Sequence, residues 1–153
     1  MSFTYSTPIR FADVDHAGIV YYPRFFHMFH LAFEELWRAR IGARAYAALL
    51  DTDRVGFPAV RAECDFKGPL TFGDVADIEL SIARLGAKSI TFRYRIYRAA
   101  EPASEGTPAR ERSLCAEGQV VTAVVDLARF VAIAIPDRVR AMLADLVEPA
   151  ALA

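Results

Sequence analysis

The feature that most constrains the fold is a stretch of about twenty residues that begins at Pro23 and is apolar around more than half of a helix. Its apolar side chains are Phe25, Phe26, Met28, Phe29, Leu31, Ala32, Phe33, Leu36 and Trp37. Proline suits the first position of a helix, and Gly42 suits the residue that stops it. A surface helix carries only a narrow apolar stripe. We therefore expect the rest of the chain to enclose this helix.

Most of the remaining chain has the period of two that is typical of strands. A first strand is indicated near the amino terminus, where Pro8 predicts a sheet edge or a bulge because proline has no amide donor. After a short second helix over residues 43–50, alternation predicts five more strands, around residues 60–66, 76–82, 90–96, 114–125 and 129–135. The first of them alternates Val60, Ala62, Cys64 and Phe66 with charged residues, and the predicted first strand alternates Phe3, Tyr5, Ile9 and Phe11 with polar ones.

The links between these strands determine how they pair. Most are short, which requires antiparallel neighbours, although residues 99–112 predict a long solvated hairpin loop and Pro136 opens a helix at the carboxyl end. An antiparallel sheet with one apolar face needs something to cover that face, and the long helix is the largest candidate. The sequence predicts an α+β fold, with a curved antiparallel sheet wrapped around a long central helix and one domain over residues 1–153.

Charge and cysteine content narrow the classes of function. The chain of 153 residues has a net charge of −1, whereas proteins that bind nucleic acid or a membrane usually carry a basic excess. The two cysteines, Cys64 and Cys115, are far apart, which favours a reducing compartment over a disulfide scaffold. The amino terminus has no apolar core of a signal peptide, and the longest apolar runs are too short to span a bilayer. These features predict a cytoplasmic protein with no nucleic-acid or membrane partner.

Residues 11–23, FADVDHAGIVYYP, place two acidic residues, a histidine and a glycine just before the long helix. The amino end of a helix presents unpaired N–H groups and a partial positive charge, which stabilise an oxygen that becomes negative. A carboxylate a few residues upstream can attack a carbonyl or activate water. Alternatively, Asp13 and Asp15 only cap a turn, which is a common use of aspartate. Local chemistry leaves both interpretations open.

The longer segment FADVDHAGIVYYPRFF resembles the signature of the 4-hydroxybenzoyl-CoA thioesterase family of hotdog proteins. The shared pattern is an aromatic residue, Asp, Asp and then Gly-Ile-Val, aromatic, Tyr-Pro at matching spacings. The phenylalanine-rich helix, the strand pair around Lys88-Ser89 and the closing strands follow in the expected order. This resemblance implies a hotdog fold and an enzyme that hydrolyses acyl-CoA thioesters without a cofactor.

The resemblance also implies roles for individual residues. Asp15 would be the catalytic carboxylate, the backbone N–H near Tyr22 would hold the thioester oxygen, and Gly18 would keep the loop thin where the thioester approaches. Lys88 matches a position that contacts CoA phosphates in relatives, although it is equally interpretable as a solvated turn residue. Asp13 would be structural. Members of the family close the active site between two chains, so we expect a homo-oligomer, a dimer or a tetramer.

Two histidines on the helix need a separate interpretation. His30 lies two turns beyond Tyr22 and is a candidate for reading a polar group on the acyl portion. The alternative is a hydrogen-bonded, half-buried helix histidine. His27 is close enough to share its face, but a metal needs three or four ligands, so we predict no metal site.

The same sequence disfavours several other functions. No GxSxG motif for a serine hydrolase is present, and the alternation predicts that Cys64 and Cys115 are inert packing thiols. A hotdog hydratase or dehydratase would carry a different motif. A non-catalytic acyl-CoA-binding protein would be expected to lose the carboxylate at Asp15.

Overall fold

The computed structural model describes residues 1–149 and has helices and strands in nearly the expected order. The elements are β1 (Phe3–Pro8), α1 (Pro23–Ile41), α2 (Ala43–Asp51), β2 (Val55–Gly56), β3 (Ala59–Phe66), β4 (Val75–Leu85), β5 (Ser89–Arg98), β6 (Ser113–Ala123), β7 (Val125–Asp126), β8 (Val131–Ala132) and α3 (Asp137–Leu143).

Within residues 1–149, five strands form an antiparallel sheet in the order β1-β4-β5-β6-β3. The edge strands are therefore β1 and β3. Pro8 ends the edge strand β1, as its missing amide predicts. Phe11 lies beyond the strand to which its alternation assigned it, in a 3-10 turn where its side chain is exposed.

The long helix α1 lies against one face of this sheet. It begins at Pro23, and Gly42 follows its last residue with a φ of +89°, a conformation that favours glycine. Phe29 stacks on Tyr94 of β5 with ring centroids 4.6 Å apart. The buried side chains of the helix are Phe25, Met28, Phe29, Ala32, Phe33, Leu36 and Trp37. The expectation of an enclosed central helix is confirmed for the face that meets the sheet.

The prediction of a last main-sheet strand over residues 129–135 is wrong. Within the described residues, β8 pairs only with β7, and β7 pairs with β2 in a separate small sheet. The reason lies at the end of β6, where Ala123 is already opposite Ser89, the first residue of β5. The chain has no further main-sheet partner beyond that point and turns away.

The turn that follows α3 is tied to the end of α1 by an ion pair. The guanidinium of Arg40 donates to both carboxylate oxygens of Asp145, at 2.6 and 2.8 Å. These hydrogen bonds lower the pKa of Asp145 and raise that of Arg40.

No helix within residues 1–149 is long and apolar enough to cross a membrane.

Gly118 of β6 leaves no room for a side chain between the backbone of β3 and the ring of Phe29 on α1. A Cβ atom there would lie 2.4 Å from the carbonyl oxygen of Glu63 and 2.8 Å from the ring of Phe29. We expect Gly118→Ala to lower the free energy of unfolding by ~1–3 kcal/mol, because overpacking forces neighbours to move. Urea denaturation measures this change. Gly68→Ala is the control, since its new Cβ would be 3.8 Å from its nearest neighbour, and equal losses in both variants would contradict the prediction.

Candidate active site at the start of the long helix

Asp15 lies on a tight hairpin that leads into α1. Val14 and Val20 pair across this hairpin, and the N–H of Asp15 donates to the carbonyl oxygen of Ile19 at 3.0 Å. Gly18 has a φ of +83°, which explains a glycine at this turn. A Cβ atom on it would meet nothing within 4 Å in this protomer, so the backbone angle, and not a close contact inside the protomer, requires glycine.

The carboxylate of Asp15 is exposed and only half engaged. Its Oδ1 accepts the N–H of Ala17 at 2.8 Å, which fixes the side chain over the turn. Among residues 1–149, no group donates to its other oxygen. One carboxylate oxygen is therefore positioned by the loop while the second faces the surroundings, where a substrate or a water molecule can meet it.

Asp13 has a different environment from Asp15. Its carboxylate accepts the N–H of Arg10 at 2.7 Å and lies 3.4 Å from Nε of Arg24 in the first turn of α1. Its carbonyl oxygen accepts the N–H of Tyr21 at 2.9 Å. These contacts attach the loop to the start of the helix.

The N–H group of Tyr22 stands at the amino end of α1 without an acceptor in the described part of the chain. The neighbouring donors are engaged, since Tyr21 donates to Asp13 and Arg24 donates to the carbonyl oxygen of Tyr21. The next residue, Pro23, has no N–H. The free donor and the helix dipole can together stabilise a negative oxygen.

A cleft of about 380 Å³ opens between the start of α1 and the segment that follows β3. The ring of Phe66 closes one side, against Phe25 at 5.3 Å and Tyr22 at 6.2 Å between centroids. Ile19 and Leu70 line another part. The cleft is thus largely apolar and lies next to the Asp15 hairpin.

A second apolar groove, of about 250 Å³, follows the same side of α1 towards its middle. Phe26, Phe29 and Phe33 line it from the helix, and Tyr94 and Thr122 line it from the sheet. The Thr122 hydroxyl is buried and has no hydrogen-bond partner among residues 1–149. Burial raises the pKa of Tyr94, so its hydroxyl stays protonated. Apolar walls with two hydroxyl-bearing residues suit a ligand that is mainly apolar and carries a polar group.

His30 also lines this groove, and its Nε2 lies 2.9 Å from a carboxylate oxygen of Glu34. It is eight residues from Tyr22, or roughly 12 Å along the helix axis.

Lys88 is exposed on the turn between β4 and β5. The Asp15 hairpin adjoins the start of β4, because Ile19 pairs with Thr71. The whole length of β4, roughly 33 Å for eleven residues, therefore separates Lys88 from Asp15 within one protomer.

The cysteines do not provide a nucleophile at this site. Burial and the nearby charge of Asp65 raise the pKa of Cys64 to about 11, so its thiol is protonated at neutral pH. Cys115 is buried. Among residues 1–149, no cluster of three or more His, Cys, Asp or Glu side chains could hold a metal ion.

Comparison with known proteins decides the family. Residues 9–143, most of the chain, match the thioesterase-like superfamily. The chain belongs to this superfamily. This match confirms the family resemblance of the residues around Asp15. The solved structures that are similar to this chain have the hotdog fold that the resemblance implies.

The similar proteins of this superfamily include two curated hydrolases. A 1,4-dihydroxy-2-naphthoyl-CoA hydrolase of Picosynechococcus is 33% identical over 99 residues, which cover 64% of this chain and 66% of that protein. The chain thus spans just under two thirds of that relative's length. The enzyme of the same name from Synechococcus elongatus is 32% identical over 117 residues, 76% of this chain and 83% of the relative.

A solved structure extends the likeness over nearly the whole chain. The 1,4-dihydroxy-2-naphthoyl-CoA thioesterase from Synechocystis is 26% identical, with a TM-score of 0.75. The comparison covers 97% of this chain and all of that one. The arrangement of sheet and central helix is therefore shared with an enzyme of the superfamily.

The structure brings Asp15, Gly18 and Tyr22 together on one hairpin and helix start, whereas His30 lies farther along α1 and Lys88 at the far end of the sheet. No local sequence pattern marks Thr122 or Tyr94 as a site residue. The alternation of β5 places Tyr94 on the inner face. Only the strand order shows that both residues face the open side of α1.

Proposed function

We propose that this chain hydrolyses acyl-CoA thioesters to a free acid and CoA, with Asp15 as the catalytic carboxylate. The observation that carries the proposal is a carboxylate with one free oxygen on the hairpin that leads into an unpaired N–H at the start of α1. Relatives named as CoA hydrolases support the reaction. Screening aromatic and aliphatic acyl-CoAs for release of a free thiol tests it. Release from none of them would favour a protein that only binds acyl-CoA.

The proposed reaction uses few groups. The carbonyl oxygen of the thioester accepts the N–H of Tyr22, where the helix dipole stabilises the negative charge that develops. Asp15 either attacks the carbonyl carbon, giving an anhydride that water then hydrolyses, or removes a proton from a water molecule that attacks directly. In both routes the bond between carbonyl carbon and sulfur breaks, the CoA thiolate leaves and takes a proton, and one water molecule is consumed.

We expect aromatic acyl-CoAs to be hydrolysed with a higher kcat/KM than acetyl-CoA. Aromatic rings line the cleft and the groove along α1, so a ring gains contacts that an acetyl group cannot make. His30, at the wall of the groove, is the proposed contact for a polar substituent on the acyl group. Steady-state kinetics with benzoyl-CoA, a hydroxylated benzoyl-CoA and acetyl-CoA measure the preference. A higher kcat/KM for acetyl-CoA would show that these rings only pack the core.

We further propose that the protein is a homo-oligomer whose basic unit pairs β3 of two protomers. Ala62 and Phe66 of β3 face α1, yet Phe66 is 50% exposed in one protomer. Val60, at a bulge of the strand, is 65% exposed. The N–H of Lys67 donates to the carbonyl oxygen of Cys115, so along β3 the odd-numbered N–H groups face β6. The N–H groups of Ala62, Cys64 and Phe66 therefore point outward and are available to a second copy.

One register suits this pairing. A two-fold axis at Glu63 would set Ala62 opposite Cys64 of the partner subunit, so that their outward N–H and C=O groups exchange hydrogen bonds. The same register brings the exposed Phe66 towards the start of β3 in the partner subunit, where a bulge interrupts the strand at Val60. On the other face it sets Arg61 opposite Asp65 of the partner subunit. At the axis Glu63 lies opposite its own copy, and this like-charge pair is offset by Arg61 of the same strand, 3.2 Å from the Glu63 carboxylate. The alignment thus places opposite charges on either side of the axis.

This arrangement would also give Lys88 a place in the reaction. In a dimer joined antiparallel at β3, the Ala59 end of one strand meets the Phe66 end of the other. The turn with Lys88 lies at the Ala59 end, since Ile90 and Ala59 both pair with Thr122. Lys88 would then contact the CoA held at Asp15 of the partner subunit. We propose the tetramer as a further association of such dimers, and the location in the cytoplasm stays a prediction.

A further inference from the structure

Asp74 is a buried carboxylate that lies outside the proposed catalytic groups. It is 3% exposed, in the turn between the segment after β3 and the start of β4. A charge at such a position is costly unless hydrogen bonds and an opposite charge compensate it. Asp74 has both the hydrogen bonds and the opposite charge, and these contacts link it to three separate parts of the chain.

The first connection is to Thr71. Oδ2 of Asp74 accepts the backbone N–H of Thr71 at 2.9 Å and its hydroxyl at 3.1 Å. Thr71 in turn pairs with Ile19, and the N–H of Val20 donates to Leu70 at 2.8 Å. The carbonyl of Ile19 accepts the N–H of Asp15, so the outgoing arm of the Asp15 hairpin rests on the segment that Asp74 holds.

The second connection is to the incoming arm. The carbonyl oxygen of Asp74 accepts the N–H of Ile9 at 2.9 Å. Ile9 is 2% exposed and immediately precedes the turn from Arg10 to Asp13. Asp74 therefore contacts the chain on both sides of the hairpin that carries Asp15.

The third connection supplies the compensating charge. Nη1 of Arg110 lies 3.1 Å from Oδ1 of Asp74. Arg110 belongs to the loop between β5 and β6, where its backbone pairs with Glu101 in both directions at 2.9 Å. The loop thus presents a cation to the far side of the Asp74 carboxylate.

We infer that Asp74, held by Arg110, is a positioning residue that fixes the Asp15 hairpin against the start of α1. The inference rests on the proposed function for its catalytic consequence, but the positioning itself concerns only the hairpin. In Asp74→Asn, the side-chain amide would turn a donor towards either Thr71 or Arg110, which are themselves donors. The segment under Ile19 then loses part of its anchor.

The test compares Asp74→Asn with Asp145→Asn, which breaks a more exposed arginine–aspartate pair in the turn that follows α3. We expect Asp74→Asn to lower kcat by ~10–100-fold at nearly unchanged KM, because a displaced catalytic group loses rate more than binding. We expect Asp145→Asn to lower stability and to leave kcat within about twofold, as expected for a pair that does not position the catalytic loop. If Asp74→Asn does not fold, the same measurements are made on Thr71→Val, which replaces the hydroxyl that donates to Asp74 with a methyl group and keeps the backbone N–H.

Amide hydrogen exchange at Asp15 and Val20 is measured on the same proteins and needs no substrate. Faster exchange at both amides in Asp74→Asn but not in Asp145→Asn, together with a lower kcat, would support the inference. Unchanged exchange would overturn it, and so would faster exchange with an unchanged kcat. If the unaltered protein hydrolyses no acyl-CoA, the proposed function fails, while the exchange rates still decide whether Asp74 positions the hairpin.

Discussion

Asp15→Asn is expected to lower kcat by roughly 10²–10⁴-fold, which corresponds to ~3–5 kcal/mol of activation free energy. The amide is a very poor nucleophile and base, so either proposed route loses its reacting group. The loop should persist, because the amide oxygen can still accept the N–H of Ala17 that Oδ1 accepts at 2.8 Å. Thiol release under saturating acyl-CoA measures kcat, and calorimetry with a slowly hydrolysed acyl-CoA measures whether binding remains.

Asp13→Asn is the matched control, since it removes the same charge two residues away. Asp13 contacts Arg10 and Arg24 and not the open side of the hairpin, so its loss should act mainly through stability. A charge effect alone would lower the activity of both variants alike. Similar losses in the two, or more than about a tenth of the activity left in Asp15→Asn, under ~1.4 kcal/mol, would contradict the assignment.

Cys64→Pro is expected to give a folded monomer with at least ~100-fold lower activity, because CoA held at Asp15 loses the contacts of the second chain, Lys88 of the partner subunit among them, that orient the thioester. The N–H of Cys64 points away from β6, so proline removes a donor that only a second copy would use. Light scattering at micromolar concentration measures the mass, and circular dichroism checks the fold. Thiol release then reports the activity of the monomer.

Cys64→Ala serves as the control for this change, because it removes the same sulfur and keeps the N–H. It should assemble and react like the unaltered protein. A monomeric unaltered protein would disprove the proposed assembly. A dimeric Cys64→Pro with full activity would show that the partner does not pair along β3.

Local signals were sufficient to predict much of the fold. Pro23 and Gly42 delimit α1, and alternation located β4 and β5, because both signals act within a few residues. The course of the chain after Ala123 was not predictable in the same way. Residues 129–135 have strand character, but their partner depends on where β5 begins, which is a property of the whole sheet.

The same contrast between local signals and long-range contacts applies to the candidate site. Asp15 and Tyr22 are close in sequence, so one motif pointed to both. Asp74 was missed because its meaning depends on Arg110, 36 residues away, and no local pattern marks a carboxylate as buried. The separation of Lys88 from Asp15 likewise follows from the length of β4 and not from any feature of the turn.

The open edge of β3 also affects how the protein must be handled. In the proposed assembly, each newly folded protomer would expose β3, with its outward N–H groups and apolar residues, until two chains meet, and such a strand is a template for aggregation. Arg61, Glu63 and Asp65 on the other face of the strand disfavour aggregation, because their charges are costly to bury against the strand of an unrelated chain. Refolding from denaturant should therefore depend on concentration in two opposite ways. Assembly is too slow when the protein is dilute, and misassociation competes when it is concentrated, so the yield of soluble protein should pass through a maximum.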